Sequence, residues 1–202
     1  MKEIIWFGRG GQGAVVAAQI LAESAYLEGF KGVTSAPTFG PERRGAPVTA
    51  STRISEEPIR MFSQVEMADI AVVLDETLLG VVDVKGRIRK GGLVIINTAC
   101  KPEDAIGNGD FDVATVDATG IALKLRLTRE GAPLINTPML GAFAKATGIV
   151  SLANVEKALR SKLPPAAAAQ NFDTVRAAYE GTVVARKAQG RGLKAEGGQG
   201  TA

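Results

Sequence analysis

"IIWFGRGGQGAVVAAQIL" (residues 4–21) runs from an apolar segment through a glycine turn into a long helical pattern. Glu3 to Phe7 is a continuous apolar, β-branched and aromatic run that stops at a glycine, which reads as a strand buried on both faces. From Gly13 to Glu28 the pattern becomes helical. Ala14, Val15, Val16, Ala17, Ala18, Ile20, Leu21, Ala22 and Ala25 cover most of the circumference, and only Gln19, Glu23, Ser24 and Glu28 are polar. An ordinary surface helix carries a narrower apolar stripe. This one is expected to pack on a sheet with one face and on a second surface, such as a partner chain, with another.

The alternation continues outward. Short strands are expected at Gly32 to Ala36, Asp69 to Leu74, Leu93 to Ile96 and Asp112 to Asp117, with another at "IRMF" (residues 59–62) and a helical stretch at Glu76 to Val82. "VTASTRI" (residues 48–54) alternates cleanly, with Val48, Ala50, Thr52 and Ile54 on one side and Thr49, Ser51 and Arg53 on the other. That pattern suggests an antiparallel strand or hairpin within the sheet. Later the period turns helical: Ala118 to Leu127, Pro138 to Ala146, Leu152 to Leu159, and a last helix from about Ala166 to Lys187 with Phe172, Val175, Tyr179 and Val183 as its seam. Residues 188–202 lack periodicity and read as a disordered tail. The expectation is an α/β domain over residues 1–187 with a mainly parallel sheet flanked by helices, C-terminal helices, and the tail at 188–202.

Composition removes whole classes of chemistry. The 202 residues hold one cysteine and no histidine. One thiolate cannot hold an iron–sulfur cluster, and neither a Cys/His zinc site nor a Ser-His-Asp device can be assembled. Cys100 follows a strand with no base to activate it and reads as inert packing. The net charge is +3, with Lys and Arg spread along the chain rather than clustered, so no nucleic-acid footprint is expected. No apolar run spans a membrane, and "MKEIIWFG" is too short for a signal peptide. The chain reads as cytoplasmic.

Gly8, Gly10 and Gly13 match G-x-G-x-x-G, a spacing that can bring a diphosphate against a helix N-terminus. An NAD site also wants a carboxylate at the end of the second strand. "GVTSAPTFG" (residues 32–40) has none. The turn therefore reads first as a device for packing helix against strand. Arg9 inside it leaves room for an anionic part of a ligand held mainly by a neighbouring chain. No phosphate-loop motif occurs, and "GNGD" (residues 107–110) reads as a surface turn rather than a thiamine diphosphate signature. Asp75 and "NTPM" (residues 136–139) read as helix caps.

"PTFGPERRGAP" (residues 37–47) is the other distinctive stretch. Pro41, Gly45 and Pro47 stiffen it. Glu42, Arg43 and Arg44 would suit a solvated loop, recognition of a carboxylate or phosphate, or an intersubunit ion-pair network. The sequence does not separate these.

"GRGGQGAVVAAQILAE" (residues 8–23), "FGPERRGAPV" (39–48) and "NTPMLGAFAKATGIVSL" (136–152), in that order, resemble the γ subunit or γ domain of the 2-oxoacid:ferredoxin (acceptor) oxidoreductases. Pyruvate synthase and the phenylglyoxylate and 2-oxoisovalerate enzymes belong to this family. The resemblance covers roughly Met1 to Glu180. It implies a Rossmann-like, non-catalytic subunit of a hetero-oligomer with α, β and δ-type partners. Thiamine diphosphate and 4Fe–4S clusters would lie in those partners, with ferredoxin or an NAD-reducing flavoprotein as acceptor. No cofactor would be bound by this chain alone, though it could contact coenzyme A. On this reading Gly8, Arg9, Gly10, Gly11, Gln12, Gly13, Glu42, Arg43 and Arg44 are the ligand or interface candidates, with no catalytic residue and no metal ligand. A freestanding NAD(P)-binding reductase and a ligand-free assembly module are the alternatives.

Overall fold

A computed structural model describes residues 1–37, 44–61 and 63–187. The expected tail at 188–202, together with Glu42, Arg43 and Phe62, lies outside the described residues. The chain order is β1 (Lys2–Arg9), α1 (Ala14–Glu28), β2 (Gly32–Pro37), β3 (Pro47–Ser55), β4 (Ala68–Val73), β5 (Ile88–Asn97), α2 (Pro102–Ala105) and β6 (Phe111–Val116). It continues with α3 (Ala118–Lys124), β7 (Thr128–Arg129), β8 (Ala132–Pro133), α4 (Asn136–Thr147), α5 (Leu152–Lys162), α6 (Pro165–Gly181) and β9 (Val183–Ala185). Two 3-10 helices, Glu76–Gly80 and Lys85–Arg87, link β4 to β5.

A seven-stranded sheet in the order β2-β3-β1-β4-β5-β6-β9 carries the domain, and β7 and β8 form a separate small hairpin. β1, β4, β5 and β6 run parallel. β3 is antiparallel to both β1 and β2. The clean alternation of "VTASTRI" thus reported a real hairpin inserted beside the first strand.

β1 shows why its residues are apolar without a break. Ile4 and Trp6 enter the core shared with α1, α3, α4, α5 and α6, while Ile5 and Phe7 enter a second core on the opposite face. That opposite face is closed by thin elements, chiefly Leu78 and Leu79 of the first 3-10 helix, Val82 and Val84 between the two 3-10 helices, and Ala105 and Ile106 at the end of α2. The second surface expected for α1 turns out to include α5 of the same chain. Glu23 of α1 accepts from Ser161 and pairs with Lys162 at 3.0 Å. Val16, Tyr26 and Leu27 remain exposed.

Two expectations change. Ile59 to Met61 form no strand, and Ile59 instead packs over Gly32. The last helix ends at Gly181 rather than near residue 187, and Val183–Ala185 pair antiparallel with β6. The run Thr182-Val183-Val184 is β-branched and favours extended backbone. Thr182 turns its hydroxyl back to the Ala178 carbonyl at the break. Val183, placed in the helical seam by its spacing, is exposed.

The amino end of the sheet is tied by a charge cluster. The Glu3 carboxylate accepts from Arg53 Nε at 2.8 Å and from Arg89 Nη2 at 2.5 Å. Asp69 pairs with Arg89 at 3.1 Å and accepts from the Glu3 backbone N–H at 2.8 Å. Arg53 is 6% exposed, and its pairing with Glu3 is what allows a strand position facing away from the helices to carry a charge.

Candidate functional site

The glycine turn sits at the carboxyl ends of β1 and β4, where ligands of open α/β sheets bind. Gly8 lies so close to α1 that a Cβ there would stand 3.2 Å from Ala14 Cβ. This supports the packing role read from the sequence. Gly11 and Gly13 have φ of 95° and 81°, a left-handed conformation that disfavours a side chain.

Arg9 and Gln12 are built into the turn. Gln12 Oε1 accepts from the Arg9 N–H at 2.7 Å, and Gln12 Nε2 donates to Asp75 Oδ2 at 2.9 Å. Arg9 Nε pairs with the same oxygen at 3.1 Å, Nη2 donates to Thr77 Oγ1 at 2.7 Å, and Nη1 donates to the Gly45 carbonyl at 3.1 Å. Gly10 N–H to Ala46 O (2.8 Å) and Gly45 N–H to Gly10 O (3.1 Å) complete the clasp. The base of the Arg-bearing loop is therefore fixed to the glycine turn.

Asp75 caps the following 3-10 helix, as read from the sequence, by accepting from the Thr77 N–H. Its second role, as the anchor for Arg9 and Gln12, has no sequence signal because the partners are more than 60 positions away. Burial pushes the Asp75 pKa up, but hydrogen bonds from Thr77 and Gln12 and the Arg9 charge outweigh it, so the carboxyl titrates below its usual range.

Arg44 forms a 3.4 Å pair with Glu130 on the β7–β8 hairpin, with both side chains largely exposed. Such a pair contributes little stability. The structure thus brings Gly8 to Gly13 together with Arg9, Gln12 and Asp75, and places the base of the loop beside them. Asn97 extends this edge. Its amide donates to Leu74 O and Thr119 Oγ1, and its carbonyl accepts from the Thr119 N–H.

Asn136 departs from its expected capping role. It is the first residue of α4, whose N-cap is Ile135 with no side-chain cap bond, and its amide rests against Gly13. Cys100 is exposed rather than packed. Among the described residues no group of three or more His, Cys, Asp or Glu could hold a metal ion, and no helix is long and apolar enough to cross a membrane.

A family model described as pyruvate ferredoxin/flavodoxin oxidoreductase matches residues 3–181. The chain belongs to this family. It is 49% identical over 187 residues to the pyruvate/ketoisovalerate oxidoreductases common subunit gamma of Thermococcus litoralis, covering 91% of this chain and 98% of that one. It is 47% identical over 180 residues to pyruvate synthase subunit PorC of Methanothermobacter marburgensis, covering 89% and 97% of the two chains. The crystal structure of pyruvate oxidoreductase subunit PORC from Thermotoga maritima superposes with a TM-score of 0.77 at 36% identity, over 92% of this chain and 100% of the other. The resemblance carried by the three sequence motifs is therefore real, and it extends to the fold.

Proposed function

We propose that this chain is the γ subunit of a cytoplasmic 2-oxoacid:acceptor oxidoreductase. It would assemble with α, β and δ-type subunits into a hetero-oligomer that decarboxylates a 2-oxoacid oxidatively. The γ-type domain that assembles is residues 1–187, with 188–202 as an appended tail. Thiamine diphosphate and 4Fe–4S clusters belong to the partners, whose thiolates this one-cysteine chain cannot replace. Ferredoxin, or an NAD-reducing flavoprotein, takes the electrons. The chain contributes no catalytic residue.

The observation that carries the reading is the clasp between the glycine turn and the loop base at Gly45 and Ala46. Arg9 is committed to Asp75, Thr77 and Gly45, so the turn serves as a scaffold. It fixes Gly45 and Ala46, which follow Glu42, Arg43 and Arg44 in the sequence. A loop rich in guanidinium at this edge suits the wall of a coenzyme A or substrate channel, because guanidinium pairs with phosphate and carboxylate. Gly8, Gly10, Gly11 and Gly13 let backbone approach at that wall. Coenzyme A would supply the thiol that accepts the acyl group; this chain would bind and orient it.

Purification of the tagged chain from its host under anaerobic conditions tests the reading. Co-eluting larger chains, thiamine diphosphate and cluster absorbance at roughly 400 nm are expected. A colourless single species that binds NAD(P) would overturn it. The double substitution Arg43→Ala and Arg44→Ala then separates two roles for the loop. An intact complex with lowered turnover assigns the loop to a ligand, whereas dissociation assigns it to assembly.

A further inference from the structure

We propose that Asn108 is a self-modification site, where the Asn108–Gly109 linkage closes to a succinimide and reopens as aspartate or isoaspartate, assisted by Lys85. The turn "GNGD" (residues 107–110) joins α2 to β6 outside any helix or strand, and Asn108 is exposed. Among the described residues the Asn108 side-chain amide has no hydrogen-bond partner, and the Gly109 N–H donates to none. Both reacting groups are therefore free. Gly109 has no Cβ to crowd the attacking nitrogen. It is also the residue that fits here, since a Cβ would stand 2.0 Å from the Phe111 ring.

The neighbouring charges favour the reaction. The nucleophile is the deprotonated Gly109 nitrogen, whose negative charge is shared with the Asn108 carbonyl oxygen. Lys85 Nζ donates to that oxygen at 3.4 Å. Lys187 Nζ donates to the Gly109 carbonyl on the other side at 2.7 Å. Asp110 would oppose an anion, but Lys90 pairs with it at 3.2 Å and Lys187 lies 3.8 Å away. Hydroxide removes the Gly109 amide proton, and the nitrogen bonds to Asn108 Cγ. The Cγ–Nδ2 bond breaks and ammonia leaves. Water then opens the ring. Cleavage at Cγ gives aspartate, and cleavage at the former Asn108 carbonyl carbon gives isoaspartate, which lengthens the main chain just before β6. No oxidant or reductant takes part. The other four asparagines are placed differently. Asn97, Asn136, Asn154 and Asn171 lie in strands or helices and precede Thr98, Thr137, Val155 and Phe172, whose side chains crowd the attacking nitrogen.

The test is incubation of the full-length chain at neutral and mildly alkaline pH, followed by peptide mapping by mass spectrometry and labelling with an isoaspartyl methyltransferase. Acid forms should accumulate at Asn108 ahead of the other four asparagines, faster at the higher pH, with ammonia released in step. Lys85 is exposed, so its substitution should leave the fold intact. Lys85→Gln is expected to slow conversion about fivefold, as for the loss of one charge close to the developing anion in water. Lys85→Arg keeps the charge and should stay near the original rate. Asn108→Gln should abolish the signal at this turn. Conversion no faster at Asn108 than at Asn154, or a rate that Lys85→Gln leaves unchanged, overturns the proposal. Neither result touches the subunit assignment, which is read from co-purifying chains and absorbance.

Discussion

Arg9 at the end of β1 and Asp75 just beyond β4 are joined at 3.1 Å across 66 residues of sequence. The pair closes the carboxyl edge between two parallel strands and holds the Arg-bearing loop through Gly45. Asp75→Asn keeps the shape but removes the charge that Arg9 and Gln12 share. It should destabilise the chain by about 1–2 kcal/mol at neutral pH, in line with a charge-assisted hydrogen bond at a partly exposed site. Because the folded Asp75 titrates below its ordinary value, its stabilisation is present above the unfolded pKa of about 3.9 and fades as pH falls through the lower folded value. Urea midpoints of the two proteins should therefore converge on acidification. A constant gap from pH 7 to pH 3 would refute this.

Glu3 should matter more. Its carboxylate serves Arg53 and Arg89 together, and Arg53 is nearly buried. Removing one partner of a buried pair leaves the other charge uncompensated, so Glu3→Gln is expected to cost about 3 kcal/mol. Burial raises the Glu3 pKa, but the hydrogen bonds and charges of Arg89 and Arg53 lower it further, giving a net depression. The contribution is again full above the unfolded carboxylate value and lost below it. Thermal unfolding at pH 7 checks the magnitude. Replacing the exposed Lys90, which pairs with Asp110 at 3.2 Å, is the control and should be nearly neutral.

Gly141→Ala reverses the usual helix rule. Within an exposed helix, replacing glycine by alanine gains about 1 kcal/mol. Gly141 instead faces α6, and a Cβ there would overlap the Val175 carbonyl oxygen. α4 and α6 would have to separate, at a cost of about 1–3 kcal/mol. A drop in thermal midpoint is expected, and a rise would show that the two helices can part without loss.

The sheet was legible from periodicity because its strands are nearly uninterrupted apolar runs and the helices between them change period at glycines. The inserted β3 was legible for the opposite reason: one face meets α1 while Arg53 on the other meets Glu3. β9 was hidden because Val183 continues the three- and four-residue spacing of α6, and only the β-branched run marks the change. In the site, local geometry was readable: the glycine spacing and the cap by Asp75. The Arg9–Asp75 pair and the approach of Asn136 to Gly13 were not, because each joins residues that only the fold brings together.

Glu28 offers the sharpest separation of local from tertiary effects. It ends α1, yet its carboxylate accepts from both the N–H and the hydroxyl of Ser151 at 2.5 Å. Ser151 is the N-cap of α5, accepting in turn from the Asn154 N–H. A carboxylate at this point opposes the positive end of α5 and also pins α5 to α1. Burial raises the Glu28 pKa, but the Ser151 bonds, a contact with Asn154 and the charge of Lys157 bring it below its normal value. The stabilisation should hold above the unfolded value of about 4.3 and drain away as pH drops through the folded one. Glu28→Gln retains an acceptor but loses the charge, and about 1 kcal/mol is expected for a helix-end interaction near the surface. Ser151→Ala removes the shared hydroxyl and should cost about the same. If Glu28 acts through Ser151, the double variant will lose less than the sum of the two single losses. Strict additivity in urea unfolding at pH 7 would show that the carboxylate and the cap act independently.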